Sequence, residues 1–519
     1  MASINQESTP IEEGITHKLS HEVKEQASLR MEGPPTNERN RFNCCGWCRF
    51  NGVKMAQGYV FNNTARGPIV MSNVFLTASL VYLASEEAGC VDENDEILED
   101  CDGKVFGWSP GPLIANIAVI SGVLSAFFMP LFGAIMDYTQ HRWSVGVAAA
   151  VLITLIQAVQ SYTVSSTWFP MAILQAVAGL LYQIEVMSVY AYLPDISRVV
   201  GEAVVTKFHS TFTMVQFASQ LIFAIVMTAI GFALSLDGVT SAQMAQGLNA
   251  VCITFSFVMS WRLLPRVPPS RELPEGRPLW IAGFIQVGQT AARIHRDFGQ
   301  SLRWFFLALI FAEAAVNSFT TVSVIYLSEH VGLSAQEIGI FFLTTLVATL
   351  PGSVLGGFVT SRIQPKNSYR LCMLILVFVT IGGALILKSG AKAAAFIWGL
   401  CIGVMLGWYY PTENLFFSLC LPKGQDAEFA GFFVYCTQIL GWLPPLVFAL
   451  MVEADVDQKY GVMAITIFAV IAVGLISFLP SWDKVLKDAH RMDDTVYVPG
   501  PSGADLTTGD TPSELLSGE

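Results

Sequence analysis

The chain has 519 residues, 53% of them hydrophobic and 13% charged. A soluble domain carries about 25% charged residues, so a water-facing shell for a chain of this size is excluded and a polytopic α-helical membrane protein is expected. The net charge of −12 is concentrated: nine acids stand against one base from Glu86 to Lys104, and eight acids against three bases from Asp483 to Glu519, which leaves the rest about neutral. No compact basic domain offers a nucleic-acid surface, and no G-x-x-x-x-G-K-[S/T] loop offers a phosphate cradle. No metal-ligand cluster or nucleophile–base pairing is visible. Neither an enzyme, a nucleic-acid binder nor a metal or cofactor protein is expected.

In chain order, residues 1–57 are polar, balanced in charge and without a signal-peptide core, and read as a disordered cytoplasmic tail. Apolar segments long enough to cross a ~30 Å hydrocarbon core follow at Gly58–Ala84, Pro110–Met136, Trp143–Tyr162, Trp168–Tyr192, Phe208–Leu234 and Met244–Leu264. A polar cytoplasmic linker, 265–301, separates them from Leu302–Leu327, Gln336–Thr360, Tyr369–Leu387, Ala394–Ser418, Phe429–Val452 and Gly461–Pro480, and an acidic cytoplasmic tail, 481–519, closes the chain. The expected architecture is all-α: 12 transmembrane helices as two six-helix bundles, 58–264 and 302–480. Arg142, Arg198, Lys207, Arg362, Lys366, Arg370, Lys423 and the arginines of the linker fall on one side, while the opposite loops hold few bases, including Lys104 and Lys459. By the positive-inside rule both termini are cytosolic.

The halves echo one another. Tyr182-Gln-Ile-Glu185 runs on to Leu193-Pro194, and Tyr410-Pro-Thr-Glu413 runs on to Leu421-Pro422, at a constant offset of 228 residues. Gly133-x-x-x-Asp137 with His141-Arg142 is echoed by Gly357-x-x-x-Ser361-Arg362. The stretch from Gly133 to Arg142 resembles the signature between the second and third helices of the major facilitator superfamily, built from two parallel six-helix repeats. Ala191-Tyr-Leu-Pro-Asp195 and the run from Leu421 to Phe433 are similar to the autophagy-related vacuolar amino-acid effluxer family and its bacterial relatives. In the first segment this chain reads Tyr59-Val-Phe-Asn-Asn-Thr64, where those relatives tend to show Tyr-Asp-aromatic-Ala-Asn-Ser. The resemblance implies alternating-access efflux of amino acids from a vacuole or other endomembrane.

A charge at the bilayer centre costs roughly 2.5–3.5 kcal/mol on insertion scales, so each one needs a reason. Arg66, Glu185, Glu313 and Glu413 lie about 12–16 Å from the cytosolic ends of the first, fourth, seventh and tenth segments at 1.5 Å per residue. Asn62, Asn63, Tyr182, Asn317, Tyr409, Tyr410 and Asn414 add hydrogen-bonding groups on the same four segments. One reading is a site for a small polar solute, with Glu185, Glu313 and Glu413 as proton-coupling carboxylates and Arg66 receiving an anionic group. The other is a static buried pair of Arg66 with one glutamate. Gly133, Asp137, Arg142 and Arg362 form a candidate conformational latch, in which Gly133 lets the second helix approach a neighbour and Asp137 pairs with Arg142 or across to the eleventh helix. Snorkelling helix ends are the alternative.

Cysteines divide by compartment. Cys90 and Cys101 share the acidic non-cytoplasmic loop, where an oxidising lumen would permit a disulfide. Cys44, Cys45 and Cys48 precede the first segment and fit palmitoylation or plain thiols, and a zinc site would need a fourth ligand that is not nearby. The expected function is a secondary active transporter for amino acids or similar small polar solutes, a monomer in the bilayer, plausibly coupled to protons. Alternatives are a non-transporting receptor or scaffold, and a facilitator for another solute such as a sugar or organic acid.

Overall fold

The computed structural model describes residues 54–488 apart from 94–96, 99–100, 194, 197–201, 270–272, 274–277, 298 and 421–425. Cys44, Cys45 and Cys48, most of both tails and the loop after the tenth segment lie outside the described residues. The first half contains α1 (Lys54–Glu87), α2 (Pro110–Tyr138), α3 (Arg142–Gln160), α4 (Trp168–Tyr190), α5 (Glu202–Leu234) and α6 (Gly238–Leu263). A further helix, α7 (Leu279–Asp297), lies in the linker. The second half contains α8 (Gly299–Glu329), α9 (Ala335–Ile363), α10 (Pro365–Ile386), α11 (Lys392–Cys420), α12 (Asp426–Gln438), α13 (Leu443–Glu453) and α14 (Gln458–Ser477). Among the described residues, twelve spans are long and apolar enough to cross a membrane, α12 and α13 together making the eleventh. The protein is an all-α polytopic membrane protein of two six-span halves.

Several boundaries differ from the sequence expectation for local reasons. α1 begins at Lys54, so Arg66 lies about 18 Å rather than about 12 Å from its end. α6 begins at Gly238 because Asp237 caps it, accepting from the backbone N–H groups of Val239 and Thr240, both at 3.1 Å. Burial pushes the Asp237 carboxyl up, but those hydrogen bonds outweigh it and hold the group below the ordinary carboxylate range. The eleventh span, expected as one helix, is broken between Gln438 and Leu443. Pro444 and Pro445 lack the N–H groups that would bond back to Leu440 and Gly441, and they start α13 instead. Side chains of α8 satisfy two carbonyls at the break: Asn317 Nδ2 donates to Thr437 O (3.2 Å) and Ser318 Oγ to Gly441 O (3.2 Å).

Packing follows small residues, as expected where lipid supplies no hydrophobic drive between helices. α1 packs on α5 and α6, α8 on α14, and α9 on α11. The α9–α11 seam is close: a Cβ at Gly403 would stand 2.8 Å from Ala348 Cβ, and one at Gly356 would stand 2.6 Å from the Trp408 ring. On the opposite side of the molecule from the linker, Cys90 and Cys101 are joined by a disulfide in the 88–109 connection. Gly403→Val forces the α9–α11 seam apart, an overpacking cost of about 1–3 kcal/mol. Thermal unfolding in detergent is expected to shift down for Gly403→Val but not for Gly357→Ala, whose Cβ would meet no atom within 4 Å.

Candidate functional site

Each half places a buried polar cluster between its first and fourth spans. In the first half, Asn62 and Arg66 stand one turn apart on α1, and Arg66 Nε donates to Asn62 Oδ1 (3.2 Å). Asn62 Nδ2 in turn donates to Glu185 Oε1 on α4 (2.5 Å). The guanidinium lies 5.1 Å from the Tyr190 ring centroid, and Tyr182 is close enough to interact with both Arg66 and Glu185. Arg66 is 2% exposed and Glu185 0%. The Asn62 amide, not direct contact, therefore links the two charges. Three buried atoms are left over: Arg66 Nη2 and Trp261 Nε1, both donors, and Glu185 Oε2, an acceptor, have no hydrogen-bond partner. The Trp261 indole nonetheless interacts with the Glu185 carboxylate.

The second half builds the same positions without a cation in the cluster. Glu313 and Asn317 stand one turn apart on α8, and Asn317 Nδ2 donates to Glu313 Oε2 (2.9 Å). Tyr409 Oη on α11 lies 2.9 Å from Glu313 Oε1, 2.6 Å from Glu413 Oε1 and 3.2 Å from Tyr369 Oη on α10. The two carboxyl groups also interact directly. A phenol has one hydrogen to give. If Tyr369 donates to Tyr409 and Tyr409 to one glutamate, the remaining short contact needs a hydrogen on the other carboxyl. These contacts therefore need at least one proton on the pair of carboxyls.

The sequence-derived residues thus fall into two separate groups, and Glu185 does not join Glu313 and Glu413. Asn63 and Asn414 bond to backbone carbonyls on their own helices, Tyr59 O and Tyr410 O, both at 2.9 Å. Tyr410 meets Phe217 of α5 across the halves, with ring centroids 5.9 Å apart. Near it Gln183 Nε2 donates to Gln438 Oε1 (3.0 Å), joining α4 to α12. Both contacts join the two halves within the spans.

The candidate latch is arranged differently from expectation. Gly133 makes no close approach, since a Cβ there would find only Met187 Sδ, at 3.9 Å. Asp137 accepts from Gln286 Nε2 of α7 (2.8 Å), so it holds the linker helix. Arg142 donates to Ala191 O and Asp195 Oδ2, both at 3.0 Å, and sits 5.4 Å from the Tyr192 ring centroid. Burial pushes the Tyr192 hydroxyl up to about 12. Arg362 lies over Phe358 of its own helix (5.1 Å).

The loop side is sealed by groups that composition could not single out. The start of α2 presents the N–H groups of Ser109 and Gly111 on either side of Pro110, and carboxylates of the second half cap them. Glu453 Oε1 accepts from Ser109 N (2.5 Å), and its other oxygen pairs with Lys104 (3.3 Å). Glu329 accepts from the Gly111 backbone and from Gln458 Nε2 (2.7 Å). Gln336, at the start of α9, donates to Leu236 O at the end of α5. Tyr369 was also invisible in sequence, because it stands at the first residue of an apolar segment with no periodic partner.

Two pseudo-symmetric six-span halves, a polar site on the first and fourth span of each, and separate contacts that join the halves define a membrane carrier. The chain belongs to the Major Facilitator Superfamily, whose sequence model matches residues 68–445. It is similar to Autophagy-related protein 22 of Cryptococcus neoformans, 22% identical over 296 residues, covering 52% of this chain and 51% of that one. Autophagy-related protein 22-1 of Aspergillus clavatus is 20% identical over 246 residues, covering 43% and 40%. The chain thus spans about half the length of the curated relatives it matches. In fold it matches the inward-open xylose transporter XylE from E. coli, with TM-score 0.57 and 12% identity over 84% of this chain and 98% of that one. It likewise matches the nucleoside transporter NupG, with TM-score 0.55 and 10% identity over 82% and 100%.

The seal makes a direct prediction. Hydrogen bonds to charged groups are worth about 1.5–3 kcal/mol each, so Glu329→Gln with Glu453→Gln is expected to raise loop-side labelling of a cysteine placed at Ile325 by at least tenfold. An unchanged labelling rate would show that the seal rests elsewhere.

Proposed function

We propose that this carrier moves amino acids or similar small zwitterions by alternating access, with a proton as the coupling ion. The observation that carries the substrate class is a set of orphan atoms in the first half. Arg66 Nη2 lacks an acceptor, and Glu185 Oε2 makes no hydrogen bond although the Trp261 indole stands beside the carboxylate, both in a buried cluster. A zwitterion answers both, its carboxylate on the guanidinium and its ammonium on the carboxylate. Charge balance also favours it, because the arginine and glutamate together add no net charge to the cavity. The similarity to proteins named as autophagy-related agrees with a vacuolar or other endomembrane site, with both termini in the cytosol.

Coupling belongs to the second half. With no cation in the cluster, Glu313 and Glu413 are bridged by Tyr409 in a geometry that needs at least one proton. Taking up that proton from one side and releasing it to the other links its passage to the turn of the halves. Tyr369, Tyr410 and Asn317 are the other polar or titratable groups that face the pair.

In vesicles, a panel of labelled amino acids, sugars and organic acids tested with and without a pH gradient is expected to give saturable uptake of amino acids alone. Binding without movement of any solute would favour a receptor. Arg66→Ala is expected to weaken substrate binding tenfold or more, equivalent to about 1.4 kcal/mol, and Arg66→Lys to restore only part of it, because a lysine cannot bond Asn62 and a carboxylate in one plane. Glu413→Gln is expected to abolish uptake driven by a pH gradient while leaving substrate exchange measurable. Full gradient-driven uptake by both Glu313→Gln and Glu413→Gln would replace proton coupling with facilitated diffusion.

A further inference from the structure

The linker helix α7 is built inside out. A helix lying in water against a protein turns its apolar stripe inward and its polar face outward. In α7 the inward side carries Ala282 and Thr290, which are buried, and Gln286, bonded to Asp137. Gly283 brings the backbone onto Pro130 O of α2. Ile294 near the far end is buried, but the two aromatic side chains point away: Trp280 is 61% exposed and Phe284 39%. A bare aromatic face of this kind needs a cover.

We propose that the cover is the bilayer, and that α7 lies in the linker-side leaflet as an interfacial helix with Trp280 and Phe284 among the acyl-chain and headgroup boundary. Three observations select lipid over a protein partner. Phe284 packs on Phe127 of α2, with ring centroids 5.6 Å apart. Phe127 is 58% exposed on a membrane-spanning helix, so the aromatic face of α7 continues a surface that already meets lipid. Tryptophan favours the headgroup level, where its ring is partly apolar and its N–H can stay wet. The far end of the helix carries the exposed Arg296, which places a cationic group at the depth of lipid phosphates. Because Gln286 is bonded to Asp137 at the end of α2, α7 is carried with the first half, and the leaflet becomes a bearing surface for that half as it rocks.

The test uses the full chain reconstituted in phosphatidylcholine vesicles, comparing wild type with Trp280→Phe. The difference between their emission spectra isolates Trp280 from the other tryptophans. That share is expected to lose most of its intensity in vesicles brominated near the top of the acyl chains and to be shielded from acrylamide. Quenching by acrylamide with none by bromolipid would place the residue in water and overturn the proposal. Protection from both quenchers would mean that protein covers the face, a second copy or another partner, and would overturn it equally. Should Trp280→Phe fail to fold, Phe284→Trp adds an emitter to the same face, and its added intensity is expected to follow the same pattern.

Discussion

A charge or a free backbone group inside the hydrocarbon core has no water to turn to, and the polar architecture of this carrier is a set of answers to that deficit. Arg66 is answered by Asn62 and the Tyr190 face, and Glu185 by the same amide. Carbonyls freed where the eleventh span breaks are answered by Asn317 and Ser318. Carboxylates from the opposite half answer the N–H groups at the start of α2. The answer is incomplete at Arg66 Nη2 and Glu185 Oε2, the atoms on which the proposed substrate site rests.

The two halves solve one geometric problem with different currencies of charge. Each sets an amide one turn from a charged residue on its first span and faces it with a glutamate on its fourth. In the first half a fixed guanidinium balances the glutamate. In the second the partner is another glutamate, and a phenol stands between them. A guanidinium stays charged at any physiological pH, whereas a proton between carboxyls comes and goes. The repeated scaffold thereby holds one permanent counter-charge in the first half and a pair of titratable groups in the second.

Most of the scaffold was legible in the sequence, because a membrane span must be a continuous apolar run and twelve such runs are plain to see. The repeat from Tyr182 to Pro194 and from Tyr410 to Pro422 likewise brought out Glu185 and Glu413 as equivalents. The break before Leu443 was not legible, since Gly441, Pro444 and Pro445 sit inside an apolar run and composition does not register a missing N–H. α7 escaped notice because its polar stripe packs on protein, so its pattern resembles neither a span nor a water-exposed helix. Glu329 and Glu453 stand at span ends, where charges are ordinary. Only the approach of α2 from the other half gives them a task.

The interruption of the eleventh span has a mechanical consequence. Glu453, which clamps the start of α2, belongs to α13, and Gln438, which meets Gln183, belongs to the end of α12. The two contacts therefore sit on different rods joined by an elbow, whose carbonyls are held by side chains and not by the helical ladder. A straight helix would act as a lever, and pulling one end loose would drag on the other. With an elbow, one contact can part while the other holds.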